Sequence, residues 1–298
     1  MTHLLSLDHP ASRSHDPESG ASDPPARRIV HVSDLHFGSP GVEERVEPLV
    51  EAVLALAPTV VAISGDLTRR AAPHEFRAVR TFLDRLSAPF IVVPGNHDVP
   101  LAPWIRFRRR HARFLDVVHD SLVPFFSDGV VAVAGIDTTR SFGIDGGRAR
   151  RRAMASLAER FEGLPRQAFR VVVAHHPFTR QPGRRFTIVA QKSRRALDTF
   201  EALRVDAVLT GHRHESVVAT AADVADSRYP YLLVQAGTAT TYRGRRSEKG
   251  KNAFFALDVL PTTVVCTRHV LDDAGEAFLR EGTEIFARAT PRPPDDAA

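Results

Sequence analysis

From Arg28 onward, short β-branched runs alternate with longer stretches of helical period, the pattern of stacked βα units. Ile29-Val30-His31-Val32, Val60-Val61-Ala62-Ile63 and Phe90-Ile91-Val92-Val93 read as buried strands. Between the first two, Val42, Val46, Leu49, Val50, Val53 and Leu54 recur at three- and four-residue spacing, which gathers them on one face of a helix. Between the second and third, Phe76, Val79, Phe82, Leu83 and Leu86 do the same after Pro73, a residue suited to a first helical turn. Two consecutive βα crossovers are expected.

Residues 101–126 are Arg-rich and irregular, but apolar Trp104, Ile105, Phe107, Phe114 and Leu115 punctuate them, so they read as helical and as a candidate cap. Strand runs return at 130–134, 171–174 and 207–209, with helices expected at 150–161 and 193–203. After His214 the pattern changes to successive strands, 216–220, 231–235, 253–260 and 263–271, so an antiparallel sheet is expected to close the domain. The expected organisation is one α/β catalytic domain over 28–288, between a disordered leader at 1–27 and a disordered tail at 289–298.

Composition narrows the class. In this chain of 298 residues the hydrophobic share of 43% and charged share of 25% are globular values, which excludes a fibrous or wholly disordered chain. No run approaches the ~18 apolar residues of a membrane span, and the leader lacks a signal-peptide core, so the cytoplasm is the expected location. The single cysteine, Cys266, lies in the apolar run Thr263-Val264-Val265-Cys266 and reads as a buried, inert thiol. The net charge of +5 comes from arginines clustered at 106–113 and 148–152. Such clusters can grip phosphates, yet basic runs usually decorate a solvated helix face, and these two read as such a face. Nucleic acid remains a secondary partner.

The candidate chemistry follows the strand ends, where open α/β sheets place their ligands. After the first strand comes Ser33-Asp34-Leu35-His36, after the second Ser64-Gly65-Asp66, and after the third Pro94-Gly95-Asn96-His97-Asp98. His175-His176-Pro177 and Thr210-Gly211-His212-Arg213-His214 follow two later strands. One such group is a weak signal, because an isolated His or Asp in a loop is more often a hydrogen-bonded surface residue. Five groups at successive strand ends, three of them led by a glycine, are jointly explained by one shared site.

These blocks, D-x-H, GD, GNH[DE], H-x-P and GHxH in that order, resemble the calcineurin-like metallophosphoesterases over residues 28–271. Gly65-Asp66-Leu67-Thr68, His175-His176-Pro177 and Ala236-Gly237-Thr238 look most like bacterial members related to class III cyclic-nucleotide phosphodiesterases. The resemblance implies a sandwich of two mixed β-sheets flanked by helices. It also implies two divalent ions, Mn, Fe or Zn, held by Asp34, His36, Asp66 and His214 and by Asp66, Asn96, His175 and His212, with Asp66 bridging. A hydroxide on the ions would attack phosphorus in line, His97 would act from outside the ligand set, and Asp98 would orient His97.

His176 reads as facing substrate or supporting a ligand, and His31, inside the first strand, as a packed histidine. Arg213, Arg140, Arg148, Thr238 and Tyr242 are weaker substrate contacts. The expected activity is a phosphodiesterase acting on a small molecule, with cAMP as one candidate. The alternatives are a nuclease, a phospholipid-diester or nucleotide-sugar pyrophosphate hydrolase on the same site, or a non-catalytic interaction protein on this fold. Oligomeric state is left open.

Overall fold

β1 (Arg27–Val32), β2 (Val60–Ile63) and β3 (Phe90–Val92) are parallel neighbours, joined through α1 (Glu43–Ala55) and α2 (Pro73–Asp84). The computed structural model describes residues 27–141, 146–180, 188–220, 223–224, 231–244 and 248–288, so the expected tail and all of the expected leader except Arg27 lie outside the described residues. Strands this short and this β-branched are stable because both faces are covered. Val30, Val32, Val61 and Ile63 pack under the helices against Leu49, Val53, Phe76 and Phe82. Ile29, Val60, Ala62 and Ile91 face the opposite way, into the space between two sheets. Pro73 opens α2 as expected, and the Glu75 carboxylate accepts the backbone N–H groups of Arg70 and Ala72, each at 2.9 Å.

The second sheet is built around β5 (Val131–Gly135), β6 (Phe169–Val173) and β7 (Ala207–Thr210), again parallel, with α5 (Arg151–Phe161) and α6 (Ser193–Ala202) on its outer face. Leu157, Phe161 and Phe200 fill that outer core with Val172, Val208 and Tyr231. Val131, Val133, Val171, Val173 and Leu209 point inward and meet Ile29, Val60 and Ile91. The layers therefore run helix, sheet, sheet, helix, the expected sandwich of two mixed β-sheets.

Three elements differ from the sequence reading. Residues 101–126 form two short helices, α3 (Pro103–Arg108) and α4 (Ala112–Val117), and then an edge strand, β4 (Phe125–Ser127), antiparallel to β5. The late strands do not make one closing sheet. β9 (Leu232–Gln235) adds parallel to β7 and carries β8 (Val217–Thr220) antiparallel on its outer edge. β10 (Ala253–Val259) and β11 (Thr263–Leu271) instead return to the first sheet, where β10 runs antiparallel to β1. β12 (Phe278–Ala287), absent from the sequence reading, completes the first sheet's order as β12-β11-β10-β1-β2-β3. Its ten residues are mostly exposed, so it lacks the apolar alternation by which strands are recognised.

Among the described residues no helix is long and apolar enough to cross a membrane. Cys266 is buried on β11 and its thiol is pushed up to about 12 by burial and then by the charge of Glu284, which makes it the inert thiol expected.

Candidate metal centre

The loops at the carboxyl ends of β1, β2, β3, β6 and β7 bring all seven expected ligand residues to one place. Their backbone is strained there. Asp34 (φ 54), His36 (φ 49), Asp66 (φ 51), His212 (φ 72) and His214 (φ 54) all occupy the left-handed region, which non-glycine residues seldom adopt. Each such residue costs of order 1–3 kcal/mol and persists only where its surroundings over-determine it. Here the surroundings are specific. Asp34 N–H donates to the Gly65 carbonyl at 3.0 Å and His36 N–H to the Asp66 carbonyl at 2.9 Å. The Thr238 hydroxyl donates to the Asp34 carbonyl at 2.8 Å, and the Thr240 hydroxyl to that of Leu35. Two glycines are required by close approach: a Cβ on Gly95 would overlap Asp66 N and Oδ1, and one on Gly211 would overlap Ser33 Oγ and Asp34 Oδ2.

The side chains form two adjoining donor clusters. In the first, His214 Nε2 lies 3.1 Å from Asp34 Oδ1 and 3.2 Å from His36 Nε2, and His36 Nε2 lies 3.8 Å from Asp66 Oδ2. In the second, His175 Nε2 lies 3.3 Å from Asp66 Oδ1, 3.1 Å from Asn96 Oδ1 and 3.2 Å from His212 Nδ1. Asp66 belongs to both, one oxygen to each. His175 Nδ1 donates to the Ser64 carbonyl at 2.8 Å and His214 Nδ1 to the Arg243 carbonyl at 3.1 Å, which leaves each Nε2 facing its cluster.

Electrostatics and unmet bonding both fit cations. Asp34, His36 and His175 are fully buried, and Asp34 Oδ1 accepts no hydrogen bond despite its two imidazole neighbours. A buried carboxylate oxygen without a donor is costly unless a cation neutralises it. Burial lowers His36 to about 3, so it is a neutral imidazole with a free lone pair. Burial alone would also lower His175, but the charge and hydrogen bond of Asp66 outweigh it and raise the group to about 9. Asp66 itself is held well below the usual carboxylate range: burial would raise it, but the charge and hydrogen bond of His175 together with the charges of His36 and His97 outweigh burial. Four imidazoles, two carboxylates and an amide, gathered as two overlapping sets of four, match the mixed ligation of borderline divalent ions.

His97 stands beside this centre, its ring 4.8 Å from that of His36 and edge-on to it. Here one expectation is corrected. Asp98 does not orient the His97 ring, whose Nδ1 lies 2.7 Å from the Arg69 carbonyl oxygen. The Asp98 carboxylate instead accepts from Gly95 N at 2.8 Å, Leu67 N at 3.1 Å, Thr68 N at 2.8 Å and Thr68 Oγ1 at 2.9 Å, fastening the second loop to the third. Burial and then the charge of Asp66 raise it to about 6. A pocket of about 200 Å³ opens at this point, lined by Asn96, His97, Arg69, Arg70 and Arg243.

His176 is buried, with Nδ1 2.8 Å from Thr138 Oγ1 and Nε2 unpartnered, and its ring lies 4.6 Å from that of His212. It can therefore serve as a donor with His175 and His212. His31 is packed as expected, 2.9 Å from Ser64 Oγ. Thr238 is committed to the Asp34 carbonyl, and Tyr242 lies under the Arg45 guanidinium at 3.8 Å. Arg213 lies between two cluster members, partly buried. Arg140 and Arg148 line a separate cleft. Sequence reasoning misses Thr240, Ser33, whose hydroxyl donates to Asp34 Oδ2 at 2.6 Å, and the carbonyls of Arg69 and Arg243. A carbonyl carries no residue-type signal, so only the fold reveals the last two.

The family described as Calcineurin-like phosphoesterase matches residues 27–216. A cAMP/cGMP dual specificity phosphodiesterase of Mycobacterium tuberculosis is 26% identical over 265 residues, 80% of this chain and 77% of that protein. A glycerophosphodiester phosphodiesterase of Enterobacter lignolyticus is 29% identical over 85 residues, which span 24% of this chain and 29% of that one. Among solved structures, a purple acid phosphatase from yellow lupin, Lupinus luteus, superposes with a TM-score of 0.68 at 11% identity, over 88% of this chain and 54% of the lupin chain. That last likeness is one of fold.

Proposed function

The chain belongs to the calcineurin-like phosphoesterase family and is a metal-dependent phosphoester hydrolase with a dinuclear centre, and from that premise we propose that it is a phosphodiesterase. In this reading Asp34, His36, Asp66 and His214 hold one ion, and Asp66, Asn96, His175 and His212 hold the other. The observation that carries it is the division of Asp66, whose Oδ2 faces one donor cluster and whose Oδ1 faces the other. Two divalent cations held there, Mn, Fe or Zn, would supply an activated water and charge neutralisation for in-line displacement at phosphorus.

The chain's own residues do the rest. His97 is fixed by the Arg69 carbonyl through Nδ1, so Nε2 is the atom left for the leaving oxygen, to which the ring in its imidazolium form would give the Nε2 proton. Arg69, Arg70 and Arg243 give the pocket beside it a positive wall suited to phosphoryl oxygens. A diester substrate is supported by the two curated relatives, both named as phosphodiesterases, and a cyclic nucleotide such as cAMP by the mycobacterial one. A cytoplasmic setting accords with the one buried, unpaired cysteine.

The test is direct. Manganese-loaded protein is incubated with bis(p-nitrophenyl) phosphate and with cAMP while bound metal is quantified. Turnover of the first is expected, and failure to hydrolyse either at two bound ions per chain would overturn the diesterase reading.

A further inference from the structure

A cleft of about 460 Å³ is lined by Arg110, Arg140, Arg148, Arg150, Arg151 and Arg195. These arginines come from four separate segments: the end of α3, the loop after β5, the entry to α5 and the first turn of α6. A solvated helix face spreads its charges outward. Here Arg148, Arg151 and Arg195 are exposed, as on a solvated face, but arginines from four segments border one hollow.

The walls of the cleft are built. The buried Arg106 guanidinium donates to the Ser141 carbonyl at 2.9 Å and to the Arg140 carbonyl at 3.1 Å, tying α3 to the loop that carries Arg140. Arg110 Nη1 donates to Ser141 Oγ at 2.9 Å. Arg150 Nη1 donates to Asp137 Oδ2 at 3.1 Å, and Arg110 Nη2 stands 3.6 Å from the same oxygen. Asp137 is the one carboxylate pairing with these arginines among the described residues, and it also faces His111 at 3.3 Å. The side chains of Arg140, Arg148, Arg151 and Arg195 have no hydrogen-bond or carboxylate partner among the described residues. Burial, and then the charges of Arg110, Arg148 and Arg140, lower the pKa of Arg150 against the pull of Asp137, which registers the mutual repulsion. Four arginines on one hollow without acids, three of them exposed, leave their guanidinium forks available to a multiply charged anion, whose oxygens match that planar geometry.

The chain segment that borders the cleft touches His176, beside the proposed ligands. Gly147 packs so closely on the His176 ring that a Cβ there would overlap it, and Arg148 is the next residue. On its other side the His176 ring lies 4.6 Å from that of His212 and 4.8 Å from that of His175. His176 therefore contacts both the backbone next to Arg148 and two of the proposed metal ligands.

We propose that the arginine cleft binds a phosphate group of the substrate other than the one hydrolysed, so that the substrate class is phosphodiesters bearing a second phosphate close to the scissile one. The assignment rests on the hydrolase reading of the metal centre. Binding energy from a non-reacting phosphate orients the ester at the ions, and a substrate lacking that group loses it.

The experiment uses the full chain loaded with manganese. The p-nitrophenyl ester of thymidine 5′-phosphate is compared with the same ester carrying a 3′-phosphate, in the wild type, in Arg148→Ala/Arg195→Ala and in Arg148→Lys/Arg195→Lys. Inorganic phosphate binding is measured on each by calorimetry. The 3′-phosphate is expected to lower KM about tenfold in the wild type, a gap lost in the alanine pair and largely kept in the lysine pair. The wild type is expected to bind one phosphate more than the alanine pair. Equal KM values for the two esters in the wild type, or the same phosphate binding in wild type and alanine pair, would overturn the proposal. If neither ester turns over while the extra phosphate site is lost in the alanine pair, it is the hydrolase reading that fails, and the anion cleft stands.

Discussion

His97 Nδ1 sits 2.7 Å from the carbonyl oxygen of Arg69, so a backbone group, and not the neighbouring Asp98, sets the ring. A carbonyl can only accept, which fixes the proton on Nδ1 and leaves Nε2 for chemistry. His97→Ala is therefore expected to lower kcat by roughly 10²–10⁴-fold while both ions stay bound. Asn96→Ala, one residue earlier, removes an oxygen 3.1 Å from His175 Nε2 and is expected to lose metal and activity together. Metal analysis of the two variants decides it: an equal loss of ions in both would place His97 among the ligands.

Asp98 has a different consequence. Its carboxylate holds four donors, three of them backbone N–H groups on two loops, and it is almost wholly buried. Asp98→Ala would leave those groups without acceptors, at about 1–3 kcal/mol each, and release Asp66 from its fixed position. A fall of several degrees in Tm with weaker metal binding is expected, where His97→Ala changes Tm little. Matching melting curves for the two variants would refute the distinction.

Gly95 and Gly211 are set by contact. Gly95→Ala would drive a methyl into Asp66, and Gly211→Ala would drive one into Ser33 and Asp34. Either is expected to displace a carboxylate by enough to empty one metal position, beyond an overpacking cost of roughly 1–3 kcal/mol. Gly129→Ala is the control, since it has a positive φ of 84 but meets nothing within 4 Å. It is expected to cost about 1–2 kcal/mol of backbone strain with full metal content. Full occupancy in Gly95→Ala, measured by metal analysis, would show the loop to be softer than this packing implies.

The strands and helices that carry the site are legible in the sequence because they are the buried ones. Val60–Ile63 can be read to the residue because its apolar run is buried throughout, and Thr263–Leu271 because its β-branched start is followed by half-buried alternation. β12 escapes because one edge neighbour and a mostly polar surface are enough to hold it. The pairing of the late strands escapes for another reason: periodicity says that Leu232–Gln235 is a strand, but not that it lies beside β7. At the site, residue types and order single out Asp34, His36, Asp66, Asn96, His175, His212 and His214. The left-handed backbone at five of them, and the carbonyl behind His97, have no signature in residue type. The arginine cleft reads as a solvated face in the sequence because convergence from four segments is a property of the fold alone.

Metal binding should release protons. His175, raised to about 9, carries a second proton at neutral pH in the metal-free chain and must lose it to ligate, and His214 is raised too, where burial is outweighed by the charge and hydrogen bond of Asp34 together with the charge of Asp66. Apparent metal affinity is thus expected to rise with pH through neutrality toward about 9. Calorimetry in two buffers of different ionisation enthalpy should report proton release on metal binding at about pH 7, with His175 contributing about one proton per chain. A buffer-independent heat would contradict these protonation states.

Asp206 provides a pH effect remote from the metals. It follows α6, accepts the Arg170 N–H at 2.7 Å and is raised from 3.8 to about 6, mainly by burial, against that hydrogen bond and the charges of Arg288 and Arg170. Between those two values the folded chain binds the proton and the unfolded chain does not, so the stability from this group is greatest below about pH 4. It is lost as pH rises toward about 6 and stays lost above. The resulting penalty at neutral pH is on the order of 3 kcal/mol before solvent screening reduces it, since each tenfold change in proton affinity is worth about 1.4 kcal/mol. Asp206→Asn keeps an acceptor for Arg170 N–H without the charge. It is therefore expected to raise Tm at about pH 7 by several degrees, with the gain shrinking to nothing near pH 4. The difference between variant and wild type at each pH isolates this residue from the titrating ligands. A gain that stays constant across that range would mean that the Asp206 charge is not the source of the effect.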